Sequence, residues 1–134
     1  MNNIHNLTIV ILTYRTNEKI LADCINSIDS QANILIVENS NNSAFKEKLE
    51  NQYPDLKVIL SGKNLGYGGG NNFGLSKVKT KYSLILNPDV ILEKNFFKVI
   101  DNYLMKTFFC ILKNLIYVEG SETKREKFTQ AKIY

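Results

Sequence analysis

Asn64 to Asp89 reads N-L-G-Y-G-G-G-N-N-F-G-L-S-K-V-K-T-K-Y-S-L-I-L-N-P-D, and this stretch decides the fold. Gly66, Gly68, Gly69 and Gly70, four of the chain's seven glycines, fall in one short bend. Glycine takes positive φ without a Cβ penalty and lets the backbone come close to a ligand. The pattern predicts a helix from about Asn71 to Lys79, then a strand from Tyr82 to Leu86 stopped by Pro88. A helix that begins just after the glycines points its unpaired N–H groups at a nearby anion. The strand carries Asp89 to one edge of a sheet, and open α/β sheets bind their ligands at the carboxyl edge. Anion cradle, short helix and carboxylate on a strand end are the layout of a site for a metal-bound diphosphate.

Outward from that stretch, strands and helices alternate. Leu7 to Leu12 is an almost unbroken apolar, β-branched run, as expected of a strand buried on both faces. Ile20, Leu21, Cys24, Ile25 and Ile28 fall at helical spacing behind Thr16 or Asn17 as N-cap. Ile34 to Val37 is a second strand, and a short charged helix runs from about Ala44 to Asn51. Tyr53-Pro54-Asp55 is a turn before a third strand, Leu56 to Leu60. After Asp89, Phe96, Phe97, Val99, Ile100, Tyr103 and Leu104 give a helix from Glu93 to Met105 its apolar stripe. Repeated βαβ units predict an α/β fold with a mostly parallel sheet flanked by helices. Thr107 to Val118 is apolar enough for one or two more strands, and 119–134 reads as a polar tail. One domain therefore occupies 1–118. Met1 to Asn6 reads as a tail, and His5 within it receives no role.

Composition removes several function classes. The net charge of +4 comes from scattered lysines, which is a solvated surface rather than a nucleic-acid stripe. Weak attraction to an anionic membrane face fits it at least as well. Two cysteines, no C-x-x-C and one histidine leave no zinc set, so Cys24 and Cys110 read as buried thiols. No segment is long and apolar enough for a signal peptide or a membrane span, so cytoplasmic residence is expected. Gly66, Gly68 and Gly70 do not fit G-x-G-x-x-G, because Asn71 stands in its sixth position, and no G-x-x-x-x-G-K-[ST] occurs. Ser/His/Asp catalysis has only His5 to draw on.

Polar residues follow the first, second and fourth strands: Thr13 and Tyr14, Glu38 and Asn39, Asn87 and Asp89. In a parallel sheet those ends share one edge, so residues distant in sequence converge there. A carboxylate directly after Leu84-Ile85-Leu86 must be solvated, paired or metal-bound. The plainer alternative makes Asp89 a turn or N-cap acid. Asn87 is a poorer ligand for a hard cation than a carboxylate and suits orienting Asp89 or a water. Glu38 suits accepting hydrogen bonds from a base or ribose, or else is a solvated turn acid. Tyr67 and Phe73 suit stacking on a base, although core packing is the commoner fate of such rings.

Together these motifs resemble the nucleotide-binding half of a family-2 glycosyltransferase of the GT-A fold, close to its rhamnosyltransferase-like branch. I-V-I-L-T-Y at Ile9 to Tyr14 resembles the family's first strand and V-T-Y-N turn, with Arg15 where Asn is usual. L-I-V-E-N-S at Leu35 to Ser40 resembles V-V-D-N-x-S, with Glu38 in the Asp position. Asn64 to Leu75 resembles N-x-G-F-A-G-G-N-N-x-G, and L-I-L-N-P-D-V at Leu84 to Val90 resembles an L-L-N-P-D-T form of D-x-D. The resemblance implies that Thr13 and Tyr14 border the nucleotide base and that Glu38, with Asn39 beside it, binds base or ribose. It implies that Asn64, Gly66, Gly69 and Asn72 line the nucleoside and adjoining phosphate. Asp89 would hold Mg²⁺ or Mn²⁺ on the donor diphosphate, with Asn87 beside it. UDP- or dTDP-sugars are the favoured donors, and a glycan or lipid-linked hydroxyl in bacterial surface-polysaccharide synthesis the acceptor.

The same resemblance places the carboxylate base of the inverting reaction further downstream, in an acceptor-binding half. No residue here is nominated for it: Glu119, Glu122 and Glu126 read as surface acids. The expectation is a shortened glycosyltransferase, working at the inner face of a membrane or free in the cytoplasm. Its apolar segment from Phe108 to Ile116 would then drive self-association or meet a partner chain. Three rivals remain. One is an inactive nucleotide-sugar-binding remnant, and another an interaction module. The third, a nucleotidyltransferase, needs a glycine-rich basic loop after the first strand, and Thr13 to Asn17 contains no glycine.

Overall fold

A computed structural model describes residues 3–106 and 115–118. Five strands make one sheet: β1 Leu7–Thr13, β2 Asn33–Glu38, β3 Lys57–Leu60, β4 Tyr82–Leu86 and β5 Leu115–Val118. Their order is β3-β2-β1-β4-β5, and every pairing is parallel. The chain thus steps outward from β1 to β2 and β3, then returns to the other side of β1 with β4. The point where the order reverses, between β1 and β4, is where a doubly wound sheet opens a crevice. This is the mostly parallel α/β fold expected from the alternation of elements.

The alternation of side chains along β1 divides the core. Leu7, Ile9 and Ile11 belong to a cluster with Leu21, Cys24 and Ile25 of α1 (Glu18–Asn26). Leu49 of α2 (Ser43–Gln52) and Phe97 of α4 (Phe96–Lys106) join the same cluster. Val10 and Leu12 point the other way, beneath α3 (Gly66–Leu75). Asn17 caps α1 by accepting from the amides of Lys19 and Ile20, and Asn42 caps α2 by accepting from Phe45.

Three expectations need correction. The glycine run is not a turn ahead of a helix; it forms the first turns of α3, which starts at Gly66 rather than Asn71 and stops at Leu75. Glycine is the poorest helix former after proline, so local propensity argues against this. Packing explains it. A Cβ at Gly70 would stand 2.4 Å from Leu12 Cδ1, and one at Gly74 would stand 2.6 Å from Val10 Cγ1 and 2.8 Å from Val37 Cγ2. The glycines bring the helix backbone onto β1 and β2, and that burial outweighs their poor propensity. The fourth helix begins three residues later than expected, after a turn in which the Phe96 amide bonds the Glu93 carbonyl. The N-terminal segment is pinned rather than tail-like: Ile4 is 2% exposed within the core, and the Asn3 amide donates to Asp101 Oδ1 at 2.7 Å. The segment Phe108–Leu112, Cys110 and the polar stretch 119–134 lie outside the described residues.

Candidate functional site

Register sets the level of the strand ends. Thr13 lies beside Glu38, and β1 meets β4 as far as Ile11 beside Leu86. Asn87, Pro88 and Asp89 therefore leave β4 at the height of Leu12 to Tyr14. Between them and the start of α3 lies a cleft of about 560 Å³. Its lining comes from the β1 end (Leu12, Tyr14, Thr16), α1 (Ile20), the β2 end (Asn39), the glycine segment (Asn64, Gly66, Tyr67) and the β4 end (Asn87, Pro88, Asp89). Residues separated by more than seventy positions in sequence converge there, as a switch-point crevice requires.

The β2 and α3 sides are held by one asparagine. Asn39 is buried; its Oδ1 accepts the Leu65 amide at 2.9 Å, and its Nδ2 donates to Asn64 Oδ1 at 3.1 Å. Asn64 Oδ1 also accepts the Gly66 amide, closing the turn into α3. Gly66 takes φ 70°, the left-handed region where a side chain is strained, and this turns the chain into the helix. No side chain caps α3 at its N-terminus, so the positive end of its dipole stands at the cleft wall.

The β4 side is different in kind. Asn87 Oδ1 accepts the Tyr67 hydroxyl at 2.9 Å, tying α3 to the strand end. Asp89 is exposed and makes no ion pair among the described residues. It is the one carboxylate of the lining, and no lysine or arginine lines the cleft among the described residues. Beneath it, Cys24 Sγ reaches the Asn87 carbonyl at 3.6 Å. Burial, and then the nearby negative charge of Asp89, push the Cys24 thiol up to about 12, so it stays a neutral core group. Three large side chains stand half-exposed around the opening: Tyr14 at 46%, Ile20 at 47% and Tyr67 at 50%. Rings and an aliphatic edge flanking a polar floor suit a flat aromatic ligand.

Of the expected site residues, Tyr14, Asn39, Asn64, Gly66, Asn87 and Asp89 share the cleft. Four do not line it. Thr13 is fully buried and its hydroxyl donates to the Val37 carbonyl, so it braces β1 against β2. Glu38 is 1% exposed, and its carboxylate turns back on its own loop. Oε1 accepts from the amide and hydroxyl of Ser40, and Oε2 from the Asn42 amide at 2.6 Å. Gly69 and Asn72 are exposed on the outward side of α3, because a helix that starts at Gly66 turns Gly70, Asn71 and Gly74 inward instead. The sequence reading missed Thr16, Ile20 and Pro88 as lining residues, and it left Tyr67 as a ring with no stated partner. Arg15, which replaces the Asn of the V-T-Y-N turn, takes φ 50° and stacks its guanidinium 5.4 Å from the Tyr14 ring centroid.

Residues 8–132 match the family described as glycosyl transferase family 2. The chain belongs to that family. Among curated relatives, it is 34% identical over 92 residues to a low-salt glycan biosynthesis hexosyltransferase of Haloferax volcanii, covering 66% of this chain and 29% of the relative. It is 30% identical over 146 aligned positions to an uncharacterized glycosyltransferase of Methanocaldococcus jannaschii, covering 96% of this chain and 50% of the relative. The chain thus spans half or less of the length of these family-2 relatives. No helix among the described residues is long and apolar enough to cross a membrane.

Proposed function

We propose that this chain is the donor-binding part of a glycosyltransferase and that its cleft holds a nucleoside diphosphate sugar together with a divalent cation. The observation that carries the reading is the charge of the lining. A diphosphate would meet one carboxylate, Asp89, and no cationic side chain among the described residues. Without a cation those like charges repel; with Mg²⁺ or Mn²⁺ between them the same arrangement attracts. No cluster of three or more His, Cys, Asp or Glu side chains exists among the described residues, so no all-protein metal cage is offered. Mg²⁺ suits that shortage, since it is commonly bound through one or two carboxylates plus substrate phosphates. The donor set therefore fits the group.

When bound, the cation offsets negative charge that grows on the leaving diphosphate as the glycosidic bond breaks. The protein's own part is placement. Asn39 and Asn64 fix the loop that carries Gly66, the N-terminus of α3 presents positive dipole, and Tyr14 and Tyr67 flank the base. A base of UDP or dTDP, the donors favoured by the family resemblance, suits the spacing between rings on two separate elements. Transfer to a glycan or lipid-linked hydroxyl with inversion needs a general base, which these residues do not include. Surface-polysaccharide synthesis at the inner face of a membrane is the setting we infer, with self-association through the apolar C-terminal segment.

The test incubates the purified chain with Mn²⁺ and a panel of UDP- and dTDP-sugars and follows nucleotide release and binding. Binding with release, or transfer to an added acceptor, supports an enzyme. Binding without turnover supports a donor-binding part that lacks its acceptor half, and absence of binding to every donor overturns the reading.

A further inference from the structure

The Tyr67–Asn87 hydrogen bond is not explained by folding alone. It links the first turn of α3 to the first residue after β4, twenty positions apart, across a cleft both residues line. An asparagine amide carries an acceptor on one side and two donors on the other. With Oδ1 occupied by the Tyr67 hydroxyl, Nδ2 faces away from it, and it has no protein acceptor among the described residues. The reverse orientation would turn the Asn87 oxygen outward beside Asp89, two residues on, and concentrate negative potential at one spot. Tyrosine is also not required here for bulk, since Phe stands in this place in the motif the segment resembles.

We propose that Tyr67 is a positioning residue: its hydroxyl holds Asn87 Oδ1 and so aims Asn87 Nδ2 into the cleft as a hydrogen-bond donor to the donor's diphosphate, leaving the cation to Asp89. This rests on the nucleotide-sugar reading above. The N-P-D segment then divides its work, with an amide donor for phosphate oxygen at one residue and a carboxylate for the metal two residues later. Asn87 would otherwise be read as a second, weaker metal ligand through its oxygen. The two assignments make opposite demands on which end of the amide faces the ligand.

The experiment measures the affinity of UDP, and separately of dTDP, in Mn²⁺ for the wild-type chain and for Tyr67→Phe, Asn87→Ala, their double variant, and Asn87→Asp. Tyr67→Phe keeps the ring and is expected to weaken binding about fivefold, the worth of roughly one hydrogen bond. In the Asn87→Ala background the same change is expected to have no further effect, because Tyr67 acts through Asn87. Asn87→Asp is expected to weaken binding more than Tyr67→Phe does, since it sets a charged acceptor against phosphate. A structural role for Tyr67 would persist in the Asn87→Ala background, and that result overturns the proposal. Tighter binding by Asn87→Asp also overturns it, because it marks position 87 as a metal ligand. If the wild type binds neither nucleotide, the donor-binding reading fails and the proposal falls with it; if it binds and Tyr67→Phe changes nothing, only the proposal fails.

Discussion

The ends of β2 and β4 carry nearly the same chemistry, Glu38-Asn39-Ser40 and Asn87-Pro88-Asp89, and the fold puts them to opposite uses. At β2 the carboxylate is buried and takes three hydrogen bonds from its own loop, while the amide clamps that loop to α3. At β4 the amide is held by Tyr67 and the carboxylate stands open to the cleft. A buried charge must be fully hydrogen-bonded, whereas an exposed one is available to a ligand. Polar residues at the edge of a parallel sheet thus divide into those that build the rim and those that face across it. What separates the two tips is Pro88: it leaves Asp89 without a following Ser/Asn loop of the kind that engages Glu38.

The largest expected effect tests the β2 end. Glu38→Ala leaves the buried amides of Ser40 and Asn42 without their acceptor, and hydrogen bonds to a charged group are worth about 1.5–3 kcal/mol each. Thermal denaturation should show a loss of about 3 kcal/mol; a change within 0.5 kcal/mol would mean the carboxylate is not a brace. Gly74→Ala comes next. Its methyl group would press on Val10 and Val37, both fixed on strands, and overpacking of this kind costs about 1–3 kcal/mol. An increase in stability would show that α3 does not sit this close to the sheet.

Asp89→Ala at the other strand end should leave stability within about 0.5 kcal/mol, because the side chain is exposed and makes no ion pair among the described residues. A denaturation loss matching that of Glu38→Ala would erase the contrast between the two ends. The smallest effect concerns pH. Cys24 has its folded value raised from near 9 to about 12, so the folded state holds this proton more tightly than the unfolded chain. Its contribution is fully present below pH 9 and is lost as pH rises towards 12. The stability difference between wild type and Cys24→Ala should therefore shift against the wild type over that window and stay flat below it.

Much of the fold was legible because a sheet buried on both faces writes itself as unbroken apolar runs. Leu7–Leu12, Ile34–Val37 and Tyr82–Leu86 each predicted a strand to within a residue or so. The start of α3 was not legible, since four glycines in five positions signal a bend locally and only contact with Leu12, Val10 and Val37 makes them helical. That five-residue error reversed the helix faces, which is why Asn72 was expected in the site and Asn71 was not. Glu38 was misplaced although its explanation lay in the sequence: an acid followed by Ser40 and Asn42 can satisfy a turn's amides by itself. The Tyr67–Asn87 bond joins two elements and has no local signature at all.

The most direct test of the central claim is a thermal-shift measurement with UDP or dTDP, with Mn²⁺, and with both, on the wild type and on Asp89→Ala. A ligand at about a hundredfold above its dissociation constant adds roughly 2.7 kcal/mol of stability. In the wild type the nucleotide and the cation together should raise the midpoint by more than the sum of each alone. In Asp89→Ala that excess should vanish while the ligand-free midpoint stays in place. An equal excess in both proteins, or none in the wild type, would contradict a cation-held diphosphate anchored at Asp89.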